Sequence, residues 1–369
     1  MSAATAVLRI VRLTLALFVL NVLSATTWDT IGSALGPAGD VLGVVSFIMD
    51  NLPQPDQIGG TIVRIGVNSE EDDGYDYEGA VQVIWAFDTF NQVLGSSPVT
   101  NLKIAHGDFD DFPIAQHMGP GTASQYIDVM ASNDEICITY VSASMPVGGD
   151  PLTWTGDVGA ACGQAWEYGG LKHGQLKNGQ PYAPKCVWMD TDHGDDIDVA
   201  PTEITNRQMK IDILAYGGDA ADKDLDYYCG STIFTWQHDD PIAERPPEGY
   251  RVPAVIHPPT KRSLYNVTQG SRPRPRNQRS AERLIVSSRP SQSARFLCDS
   301  PTSRGSDFVS VAEGLFCDME TKTLYPVCSP SSVSACFDLD ASNPHLRKAG
   351  PVGRRALAMM RYKRISRWE

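Results

Sequence analysis

The stretch QMKIDILAY at 208–216 alternates: Met209, Ile211 and Ile213 are apolar, and the charged Lys210 and Asp212 stand between them. Successive side chains of an extended chain point to opposite sides, so this spacing predicts a strand with one face on a core and the other in water. Six further runs share the texture: TIVRIGV (61–67), AVQVIWAFD (80–88), SQYIDVM (124–130), EICITYVSAS (135–144), KCVWMD (185–190) and STIFTWQ (231–237). Each is short, rich in β-branched and aromatic residues, and bounded by Gly, Pro, Asp or Asn. Together they predict a mainly β chain whose residues 51–240 form an antiparallel, jelly-roll-like β-sandwich, a length sufficient for one core.

The N-terminus reads as a secretory signal over 1–25: Arg9 and Arg12 precede the apolar LTLALFVLNVL (13–23), and the small residues Ser24, Ala25 and Thr26 follow. That run is too short for a membrane span, which needs roughly 20 apolar residues, so no anchor is expected. The expected location is extracellular. A lead at 26–50 has helical character. Eight cysteines fit an oxidising compartment. Cys137, Cys162, Cys186 and Cys229 form one set and Cys298, Cys317, Cys328 and Cys336 another, with no CxxC or HExxH to suggest zinc. Even counts predict pairing within each set, and three pairings per set remain open.

Charge divides the chain. Residues 26–260 hold 10 Lys/Arg against 35 Asp/Glu, residues 261–369 hold 19 against 9, and the whole carries a formal charge of -13. The acidic body argues against nucleic acid or an anionic membrane as its partner, because phosphate binding relies on clustered Lys and Arg. Residues 241–297 are rich in Pro, Arg and Ser with little periodic apolar pattern, and are expected to be a disordered linker. Within it lie a dibasic pair, Lys261-Arg262, suited to secretory processing, and the sequon at Asn266, suited to glycosylation. Four cysteines within 298–340 predict a small disulfide-stapled module, and 341–369 a basic tail.

Four blocks carry a resemblance: VNSEEDDGYDYEGAVQVIWAFD (67–88), EICITYVSASMPVGGDPLTWTGDVGAACGQAWEYGG (135–170), PKCVWMDTDHGD (184–195) and the cysteine unit DSPTSRGSDFVSVAEGLFCDMETKTLYPVCSPSSVSACFDLD (299–340). They resemble a group of predicted secreted fungal proteins, mostly without assigned activity. The resemblance implies a filamentous fungal source and secretion, and it transfers no catalytic residue.

Chemistry is sparsely signalled. No GxSxG elbow or GxxxxGK[ST] loop occurs, and a mature chain starting near Thr26 lacks the N-terminal histidine of copper-dependent polysaccharide oxygenases. Runs such as SEEDDGYDYEG (69–79) and GDFDDF (107–112) hold many carboxylates, and a glycosidase needs only two across a cleft. Asp190, Asp192, Asp195, Asp196 and Asp198 gather around His193 and Gly194, offering oxygen ligands for one hard cation, calcium fitting best. The EF-hand pattern fails there, lacking the glycine and glutamate at the sixth and twelfth positions. His193 has no second histidine close in sequence, His173 being twenty residues upstream. Trp154, Trp166, Trp188, Trp236, Tyr168, Tyr227 and Tyr228 share the acidic half, either as packing against disulfides or as a platform for sugar stacking. The leading expectation is a secreted, non-enzymatic binding protein for a glycan or an extracellular protein surface. Its rivals are a hydrolase using an aspartate pair and a toxin or effector processed at Lys261-Arg262.

Overall fold

Seven runs of alternating or apolar residues all become strands of the chain, seen here as a computed structural model that describes residues 59–69, 77–100, 102–117, 121–173, 181–191, 206–216, 225–237, 281–330, 335–347 and 362–369. The expected signal at 1–25, the lead at 26–50, the dibasic pair Lys261-Arg262 and Asn266 lie outside the described residues.

One sheet of the sandwich contains β1 (Ile62–Val67), β5 (Phe109–Pro113), β8 (Ile136–Ser144), β9 (Leu152–Thr155), β10 (Trp166–Glu167) and β11 (Cys186–Met189). Its order is β10-β11-β8-β1-β5, with β9 sharing an edge of β8 with β11. The second contains β2 (Gly79–Phe87), β3 (Val93–Ser96), β4 (Leu102–Ile104), β6 (Ala115–Gln116), β7 (Tyr126–Ala131), β12 (Gln208–Asp212) and β13 (Phe234–Gln237), ordered β13-β12-β7-β2-β3-β6 with β4 also on β2. Every pairing in these two sheets is antiparallel. Alternation selects the inward faces: Val63, Ile65, Val141 and Ala143 of one sheet share a core with Ile84, Ala86, Ile127, Val129, Met209 and Ile211 of the other. The run from Gln208 stops as a strand at Asp212 and turns into a 3-10 segment, Ile213–Tyr216, which keeps Ile213 buried.

The cysteines pair within their own sets, as the even counts predict. Cys137 joins Cys186 between adjacent strands, and Cys162 joins Cys229, linking the end of α1 (Gly156–Ala161) to the residue after α2 (Leu225–Tyr228). In the C-terminal half Cys298 pairs with Cys317 and Cys328 with Cys336.

Two expected boundaries need correction. The linker drawn to 297 is folded from its last part onward: β14 (Arg283–Ser287) and the start of α3 (Ala294–Asp299) lie inside it. The expected basic tail at 341–369 contains β19 (His345–Arg347) and β20 (Arg364–Trp368). Here β14 runs parallel to both β20 and β15 (Asp307–Ser310), and β16 (Leu315–Asp318) and β17 (Thr323–Pro326) complete a third sheet; β19 pairs with β18 (Cys336–Asp338). The short apolar core of RLIVS, flanked by Arg and Ser, was obscured by the composition around it.

Nor is the cysteine unit a separate bead. Phe308, Leu297, Cys298 and Trp368 belong to the same buried cluster as Trp166 and Tyr168 of the sandwich. Backbone bonds tie Trp166 N–H to Thr302 O (3.2 Å) and Arg304 N–H to Trp166 O (2.8 Å). Arg289 donates to the carbonyl of Gly170 (2.9 Å) and Gln292 to that of Gly169 (2.9 Å). Gly305 holds a positive φ of 98°, and a Cβ there would meet Glu167 Oε2 at 2.6 Å, so this contact requires glycine.

Candidate functional site

The acidic stretch after β11 begins in the interior. Asp190 is fully buried, its backbone N–H donating to Asn206 O (2.9 Å), and Thr191 N–H donates to Ser132 O (3.0 Å). Asp192, Asp195, Asp196 and Asp198, with His193, lie outside the described residues, which include only Asp190 of the expected calcium ligands. Among the described residues no three His, Cys, Asp or Glu side chains gather closely enough to hold a metal.

The aromatic residues take the packing role. Trp154, Trp166, Trp188, Tyr168 and Tyr228 are buried and Trp236 is half-buried. Trp154 stacks on Phe234 (5.4 Å between centroids), Trp188 on Tyr77 (5.7 Å), and Trp166 meets Tyr168 edge-on (5.1 Å). Tyr227 alone of the seven reaches the exposed range, at 36%.

Carboxylates of the described runs are engaged as well. Arg64, buried on β1, forms two 2.7 Å bonds to Asp111 on the paired strand and stacks on Phe109 at 3.7 Å. Asp110 Oδ1 accepts from Asp111 N–H and Asp108 Oδ1 from Phe109 N–H, both local backbone contacts. Glu167 accepts from Trp188 Nε1 (3.2 Å) and Tyr77 OH (3.4 Å). Asp157, on α1, accepts from Lys185 Nζ and Tyr182 OH at 2.5 Å each, and Lys185 sits among the rings of Trp166, Tyr168 and Phe296 at 5.3–5.8 Å. Gly156 permits this approach, since a Cβ there would lie 2.2 Å from Lys185 O.

His173, whose backbone N–H donates to Tyr182 O (2.7 Å), is buried against Tyr140, edge-on at 5.2 Å, and desolvation lowers its pKa to about 4. A histidine whose folded pKa lies below the unfolded 6.5 binds its proton first in the unfolded chain, so stability falls as pH drops through that interval. The difference amounts to about 3 kcal/mol between pH 7 and pH 4. His173→Phe is expected to flatten this part of the stability profile, read by urea unfolding at pH 7 and pH 4.5; equal acid sensitivity in wild type and variant would remove His173 as the cause.

The outer face of the second sheet departs furthest from expectation. Lys210 and Asp212, placed in water by the alternation, are only 7% exposed each, and Gln208 and Asp128 are buried. Lys210 stands opposite Asp128 on the neighbouring β7, which in turn stands opposite Trp85 on β2. Gln208 Nε2 donates to both Asp128 oxygens (2.9 and 2.8 Å). The Lys210 ammonium lies 3.5 Å from the centroid of Phe87, 5.3 Å from that of Tyr126, and donates to Asn91 Oδ1. Burial pushes the Asp128 carboxyl up and the Lys210 ammonium down, each toward its neutral form, with their mutual attraction opposing both shifts. Asp212, bonded by Gln125 (3.0 Å), is raised by the same desolvation. Perturbed titratable pairs of this kind mark places where chemistry is feasible. The sequence signal was a single Asp at the centre of the apolar YIDVM and a Lys at the centre of the alternating QMKID.

Comparison with models of known protein families and with curated proteins found no match.

Proposed function

We propose that this chain is a secreted, non-enzymatic recognition protein whose disulfide-braced β body offers an acidic surface to a basic patch on another extracellular protein. The observation that carries the reading is the internal commitment of its chemistry-bearing groups: the buried tryptophans pack on rings, and Asp157, Glu167 and Asp111 are bonded to Lys185, Trp188 and Arg64. Among the described residues of the body, Asp108, Asp134 and Asp150 are exposed carboxylates. The body holds 35 acidic against 10 basic residues over 26–260. The signal-like 1–25, four disulfides and the resemblance to secreted fungal proteins support an extracellular site of action.

The β4–β5 corner is the best-supported contact region. It brings Asp134 and Glu78 onto Lys103, with the exposed Asp108 in the turn before β5 and with Leu102 at 47% and Phe109 at 41% exposure, a mix of apolar contact and charged rim typical of protein interfaces. Reversing Asp108 and Asp134 to lysine is expected to weaken binding to an immobilised cationic protein at least tenfold, whereas Asp150→Lys, near the opposite end of β8, leaves it within twofold. Surface plasmon resonance at several salt concentrations checks this. Turnover of a polysaccharide, peptide or ester by the purified protein, lost on an aspartate-to-asparagine change, would overturn the reading in favour of a hydrolase.

A further inference from the structure

The outer face of the second sheet brings together three reactive functions: the buried amine of Lys210, the buried carboxyl of Asp128 and, at the edge of the cluster, the half-buried carboxamide of Asn91. We propose that Lys210 and Asn91 become joined by an intramolecular isopeptide bond, Lys210 Nζ to Asn91 Cγ, with Asp128 relaying the proton and ammonia leaving. The amine already donates to the carboxamide oxygen of Asn91, so nucleophile and carbonyl meet without a search. Asn91 is set there by its turn: its N–H donates to Asp88 O (3.0 Å), Asp88 N–H donates to Gln92 O (2.9 Å), and a positive φ of 62° completes the reversal between β2 and β3.

Phe87 and Tyr126 wall the amine from water, which favours its neutral, nucleophilic form. Asp128, beside Lys210 in the strand register and held by both Gln208 bonds, supplies the acid. Its carboxyl, facing Lys210 from the adjacent strand, takes up the proton lost by the attacking nitrogen and returns it to the departing NH2. One C–N bond breaks at Asn91, one forms, ammonia departs, and Asp128 ends as it began. No oxidant or cofactor enters. The product links β12 across β7 to the β2–β3 turn, closing a span of 119 residues. Lys185 offers the contrast: its partner Asp157 is a carboxylate, and an ammonium facing a carboxylate forms an ion pair rather than an amide.

Tryptic mapping of the folded, purified full chain tests this directly, because an acylated lysine is not cleaved. The expected product is a branched species joining residues 65–103 to 208–223, with the reduced protein lighter than its sequence by one ammonia, about 17 Da. Lys210→Arg and Asn91→Ala should each restore the full mass and slow migration on a reducing, denaturing gel. Separate peptides 65–103, 208–210 and 211–223 from the wild type would overturn the proposal whatever the variants do. A linked product persisting in folded Asp128→Asn would overturn the relay assigned to Asp128.

Discussion

Asp157→Ala is expected to lower the unfolding free energy by roughly 3–5 kcal/mol, because it strands a buried cation. Asp157 and Lys185 are 2% and 7% exposed, and Asp157 also holds the hydroxyl of Tyr182. With the carboxylate gone, Lys185 keeps only the weak attraction of three ring faces, one of them Phe296 from the C-terminal half. Removing both charges should cost less than removing one: Asp157→Leu with Lys185→Met leaves no unpaired ion. Urea unfolding of the two single variants and the double variant measures the coupling. A loss below about 1 kcal/mol for Asp157→Ala would mean that water reaches the site and that the pair behaves as a surface one.

The disulfides should rank by the chain they close. Cys162 and Cys229 are separated by 67 residues and Cys328 and Cys336 by 8. The loop-entropy relation gives about 4 kcal/mol for replacing the first pair with serine or alanine and about 2.5 kcal/mol for the second. Cys162–Cys229 also ties the element following β9 to the one preceding β13. Thermal and urea unfolding of the two double variants gives the ranking. A larger loss at Cys328–Cys336 would show that local packing, not chain closure, sets the contribution.

The sandwich was legible because burial imposes a period. QMKID, EICITYVSAS and YIDVM alternate or run apolar, and all became central strands. Strands such as FDDFP (109–113) and LKI (102–104) were not legible: their pairing is set by partners on β1 and β2, while their own residues are charged or few. RLIVS and the strand ending in Trp368 lie inside basic, Pro- or Ser-rich sequence whose average masks five-residue patterns. Lys210 was misplaced because alternation reports which face a residue occupies and says nothing of whether that face is covered. Cysteine pairing within each set followed from even counts, but the choice among pairings needed the neighbouring strands β8 and β11.

The shared core of the two cysteine-paired halves changes what processing at Lys261-Arg262 would produce. All four bridges lie within one half or the other. Trp166, Tyr168, Phe308 and Trp368 nonetheless pack as one cluster, with Arg289 and Gln292 bonded to the carbonyls of Gly169 and Gly170. The direct measurement is size-exclusion chromatography after cutting the folded protein at a protease site placed at Lys261-Arg262. The account predicts that the fragments co-elute under native conditions and separate in denaturant without any reductant. Two independently folded fragments that elute apart under native conditions would contradict it.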